Sequence, residues 1–101
     1  MKKIIGIKNL LENKSSLPKT GWIFIDHNLD TEDADILKNA AFYIPENEDD
    51  EFDGEETLST LVETPIFLAI LANRERNVDR ATDQQYLEAL IHYLKYDDFL
   101  E

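Results

Sequence analysis

Carboxylates dominate the chemistry available to this chain. The run ENEDDEFDGEE places Glu46, Glu48, Asp49, Asp50, Glu51, Asp53, Glu55 and Glu56 within eleven positions, with Phe52 among them. Three kinds of chemistry use such a set: binding of a hard cation, general acid and base catalysis, and electrostatic capture of a basic partner. The first begins well, because Asp49, Glu51 and Asp53 fall at alternate ligand positions of a calcium loop and Gly54 falls at its turn. It fails at the twelfth position, where Thr60 stands in place of a bidentate glutamate. No metal site is expected.

Catalysis has equally little support. His27 lies beside Asp26 and Asp30, and His92 is one helical turn from Glu88, but both histidines read as surface residues. Ser15, Ser16 and Ser59 lack a nucleophile motif, and Gly6, Gly21 and Gly54 do not compose a phosphate-cradling loop. The expectation is a protein without catalytic turnover and without a cofactor. A carboxylate-dependent hydrolase is the weakest of the alternatives.

Electrostatic capture fits the distribution of charge best. The formal charge is -12, yet residues 26 to 56 hold 13 of the 22 acids against one base, Lys38, which leaves 9 acids and 9 bases elsewhere. One anionic surface on an otherwise neutral scaffold would steer a basic protein and repel a nucleic-acid backbone. Phe52 would supply an apolar anchor after the acids have guided the encounter. Tyr96, Asp97 and Asp98 could adjoin the acidic run and enlarge the same face. Arg74, Arg76 and Arg80, the only short basic cluster, read as solvated surface, since no interleaved aromatics make them a strand-binding platform.

With 101 residues, 43% of them hydrophobic, the chain has material for one modest core. A single compact domain over 1–101 is expected, with a solvent-facing acidic loop at about 46–56. The chain has no cysteine, which excludes disulfides and thiolate metal sites and is compatible with a reducing compartment. No apolar run approaches the length of a membrane span, and MKKIIGIKNLL lacks the cleavage signal of a leader.

The elements that must position the acids follow from periodicity. Ile4, Ile7, Leu10 and Leu11 predict a helix over 3–13, ended by Ser15, Ser16 and Pro18. Trp22 to Ile25 predicts an inner strand apolar on both faces, with Trp22 and Phe24 on one side and Ile23 and Ile25 on the other. Thr31 could cap a short helix, or Ile36 and Leu37 could begin a strand. A second strand is expected over Ala41 to Ile44, ended by Pro45. LSTLV reads as a short helix, and Thr64 with Pro65 opens a buried one through IFLAILA. Thr82 with Gln85 opens the last helix, whose packing face is Tyr86, Leu87, Leu90, Ile91 and Leu94 and whose polar side is Gln85, Glu88, His92 and Lys95. The class is α+β, a small mixed or antiparallel sheet packed against three to four helices.

The WIFID strand and the ending YLEALIHYLKYDDFLE, on a small acidic chain, resemble immunity proteins of bacterial contact-dependent growth inhibition systems. The resemblance extends from Leu10 to Phe99. It implies a cytoplasmic inhibitor that binds the C-terminal domain of a secreted toxin, often a basic nuclease, and covers its active site or substrate groove. Such proteins share no common inhibitory motif, so no residue role is carried over. The alternative is an acidic adaptor or nucleic-acid mimic bound to a basic host protein.

Overall fold

The computed structural model describes residues 1–100. Its elements are β1 (Lys2–Ile5), α1 (Ile7–Glu12), a 3-10 turn at Lys14–Ser16, β2 (Trp22–Ile25), α2 (Ala34–Lys38), β3 (Ala41–Ile44), α3 (Glu48–Thr57), β4 (Ser59–Glu63), α4 (Thr64–Asn77) and α5 (Asp83–Tyr96). The four strands form one antiparallel sheet in the order β1-β3-β2-β4, which makes this an α+β fold.

β2 runs through the middle of the sheet, as its two apolar faces require. Ile23 and Ile25 enter the main core with Ile4, Phe42, Ile44 and Val62, against Ile7, Leu10, Leu37, Phe67, Ile70, Leu87 and Leu90 from α1, α2, α4 and α5. Phe24 points the other way. It is 0% exposed yet lies outside that cluster, because α3 covers it. The sheet therefore carries four helices on one face and α3 on the other.

Four expectations are corrected. The helix expected over 3–13 is a strand followed by a helix. Gly6 at φ 86 separates them, and its amide donates to Ala40 O at 2.8 Å. A positive φ ends one element and starts another, which the run of isoleucines conceals. LSTLV is a strand, drawn into the sheet by β2. Thr60 pairs with Phe24 and Val62 with Ile23, so Leu61 is an extra residue, and this bulge lets Leu61 and Val62 both be buried in succession. The acidic segment expected to be a loop is α3. Between β2 and β3, Asp33 rather than Thr31 provides the cap, accepting from the amides of Asp35 and Ile36, and Ile36 and Leu37 belong to α2.

The other end signals operate as their chemistry demands. Pro65 sits in the first turn of α4, where its missing N–H is harmless. Thr82 and Gln85 make a reciprocal capping box on α5. Phe99 and Leu100 fold back onto the core, with the Phe99 ring 5.5 Å from that of Tyr93. No helix among the described residues is long and apolar enough to cross a membrane.

Candidate functional site

Local chemistry explains why seven acids tolerate a helix. The Asn47 side chain caps α3 by accepting from the Asp50 amide at 2.8 Å. Glu48, Asp49, Asp50 and Glu51 occupy the first turn, where the helix dipole favours negative charge. The costs come later in the helix. Asp49 with Asp53, Glu51 with Glu55 and Asp53 with Glu56 are like-charge neighbours, each unfavourable by about 0.2–0.5 kcal/mol.

Packing divides the acids into two sets. Asp50, Glu51 and Gly54 form the inward face. Gly54 is buried so closely on Phe24 that a Cβ there would stand 2.6 Å from Cε2 of the ring. The Glu51 carboxylate accepts from the Trp22 amide at 3.1 Å and tethers α3 to the start of β2. Gly21, at φ 96, leaves room for it: a side chain at that position would collide with the Glu51 carboxylate. Asp50 accepts from the Glu46 amide at 2.9 Å and lies 3.0 Å from the Met1 ammonium, which also approaches Glu46 at 3.6 Å. Those contacts, the Glu46 amide first, hold the Asp50 carboxyl below its ordinary value.

The outward set is Glu48, Asp49, Phe52, Asp53, Glu55 and Glu56, all exposed, with Glu46 exposed just before the helix. Phe52 is 61% exposed. Its neighbours three and four positions away are Glu48, Asp49, Glu55 and Glu56, so helical geometry rings the phenyl group with carboxylates. Sequence reasoning found these residues but not their division, since a loop has no inward face.

Tyr96, Asp97 and Asp98 are exposed at the C-terminal end of α5, on the opposite layer from α3. No hydrogen bond or ion pair joins them to α3 among the described residues. Their link to the acidic helix is Trp22, whose amide binds Glu51 and which lines a hollow with Asp97.

The histidines are engaged elsewhere. His27 Nδ1 lies 2.8 Å from Ser59 Oγ, and His92 packs on Tyr96 at 4.7 Å between ring centres. Among the described residues no group of three or more histidine, aspartate or glutamate side chains is placed to hold a metal ion. The arginine expectation is corrected in one member: Arg76 and Arg80 are exposed, whereas Arg74 is 8% exposed and its Nε has no hydrogen-bond partner among the described residues.

Comparison of the chain with protein-family models, with curated proteins and with solved structures gives no match.

Proposed function

We propose that this chain is a cytoplasmic, non-catalytic immunity protein that binds and neutralises a basic toxin domain, a nuclease, with α3 laid over the substrate groove. The observation that carries the reading is Phe52, standing 61% exposed at the centre of a helix face otherwise made of carboxylates. Fully burying an exposed phenylalanine is worth about 1.5–3 kcal/mol, and at 61% exposure Phe52 leaves more than half of that for a docked partner to recover. The acids around it speed encounter and set register, and the ring supplies the buried centre that charge alone lacks.

Asp50 and Glu51 bind the protein's own backbone, so the steering charges are Glu48, Asp49, Asp53, Glu55 and Glu56. The test is co-expression with the toxin domain encoded by the adjacent upstream gene, followed by binding kinetics with the purified pair. Rescue of the toxin-expressing cells is expected. Joint replacement of Asp49, Asp53 and Glu56 by their amides should slow association roughly tenfold at low salt. No binding and no rescue would reject the reading in favour of an acidic adaptor for a host protein.

A further inference from the structure

Beside the start of β2, Trp22, Leu61, Glu63, Ile66, Tyr93 and Asp97 line a hollow of about 260 Å³. Clefts for drug-sized ligands run to roughly 300–1,000 Å³, so this one is on the scale of a single long side chain. Its chemistry is of one sign. Neither Glu63 nor Asp97 forms an ion pair among the described residues. Asp97 is the C-cap of α5, where unfilled backbone carbonyls add negative potential.

Asp97 is also locally costly. It takes a left-handed conformation, φ 57 and ψ 35, that favours glycine or asparagine. It puts a negative side chain at the helix end that prefers a positive one. Two penalties at one residue that lines a hollow point to a use outside folding.

The candidates for that use narrow quickly. An anion would be repelled. An apolar ligand would strip water from two carboxylates without replacing it. A hard metal ion needs more oxygen ligands than two carboxylates beside aromatic and aliphatic residues provide. A guanidinium meets every feature, since its N–H groups suit carboxylates while its weakly hydrated plane suits aromatic surroundings.

We infer that this hollow receives one guanidinium group on an alkyl chain, held by the Glu63 and Asp97 carboxylates beside Trp22 and Tyr93. The inference rests on the hollow alone and needs no toxin, so it and the α3 reading can fail separately.

Trp22 is the only tryptophan in the chain, so its emission reports binding directly. The probes are N-acetyl-arginine amide, its neutral isostere N-acetyl-citrulline amide, and free arginine. A saturable change with the arginine amide in the millimolar range, absent with the citrulline amide, is expected. Glu63→Gln and Asp97→Asn should each weaken it about threefold or more, while Glu12→Gln on the exposed side of α1 leaves it unchanged. Asparagine tolerates the left-handed region, so Asp97→Asn keeps the fold, which circular dichroism verifies. Tighter binding of the capped form assigns the site to a protein-borne arginine, and tighter binding of free arginine assigns it to the small molecule. An equal response to the citrulline amide, or no saturable response by tens of millimolar arginine amide, overturns the proposal.

Discussion

Gly54 of α3 and Phe24 of β2 approach so closely that the glycine hydrogen stands where a methyl group would be 2.6 Å from the ring. Glycine inside a helix costs roughly 0.5–1 kcal/mol relative to alanine. Here that cost is accepted because it lets α3, alone among the described helices on this side of the sheet, seal a wholly buried phenylalanine. Gly54→Ala is therefore expected to destabilise the protein by about 1–3 kcal/mol, against the propensity scale. Urea denaturation measures this, and a gain in stability would show that the contact is slack.

Phe52 should behave in the opposite way. Phe52→Ala leaves the denaturation midpoint within about 0.5 kcal/mol of the parent, because the ring buries little in the free protein. Affinity for the toxin domain should fall by about 2 kcal/mol, close to thirtyfold, if Phe52 is the interface centre. Calorimetry of the pair distinguishes this from the smaller loss expected of a rim residue.

Glu51 and Asp49 are adjacent acids with different duties. Glu51→Ala removes the acceptor for the Trp22 amide and should cost about 1–3 kcal/mol of stability. Asp49→Ala should leave stability nearly unchanged and slow association instead. Thermal melts and association rates measured on the same two variants would reverse this assignment if the effects were exchanged.

An ion pair far from the acidic helix provides a pH test. Lys14 Nζ lies 2.6 Å from Glu75 Oε1, which also accepts from the Tyr86 hydroxyl at 2.9 Å. Lys14 first and Tyr86 second hold the Glu75 carboxyl below its ordinary value of 4.5. A carboxyl lowered by folding contributes stability fully above its unfolded value and loses it as pH falls through the folded one. Glu75→Gln should therefore remove a contribution at neutral pH and flatten the acid limb below about pH 4.5. Both side chains are 43% exposed, so the effect stays under about 1 kcal/mol. Stability curves of parent and variant that remain parallel through the acid limb would dismiss the pair as a contributor.

Arg74 is the reverse case, a side chain only 8% exposed whose Nε finds no acceptor among the described residues. Arg74→Met retains the stem's contacts without the unpaired group and should raise stability by about 1 kcal/mol, readable as a higher urea midpoint.

Signals confined to a few residues were legible in the sequence. The strands at Trp22–Ile25 and Ala41–Ile44, Pro65 opening α4, and the Thr82–Gln85 box all depend on neighbours in the chain. β1 and β4 read as helix along the chain because their strand character comes from partners far away, Ile44 to Ala41 for β1 and Ile25 to Trp22 for β4. α3 differs because eight acids in eleven residues argue for a solvent-facing loop, while the Asn47 cap and the Phe24 contact that secure the helix emerge only in the fold. For the candidate site, the outward acids and Phe52 were named from composition. The withdrawal of Asp50 and Glu51 into the fold, and the meeting of Trp22, Glu63 and Asp97, required the tertiary structure.

The strand order β1-β3-β2-β4 has a kinetic consequence. β1 pairs only with β3, and β2 is complete only when β4 has been made, so almost every ladder closes a long stretch of chain. Long-range pairing of this kind slows folding relative to a helical bundle of equal length. During synthesis the sheet remains open until residues 59–63 leave the ribosome, and α3, which emerges just ahead of them, meets β2 while one edge of that strand is still unpaired.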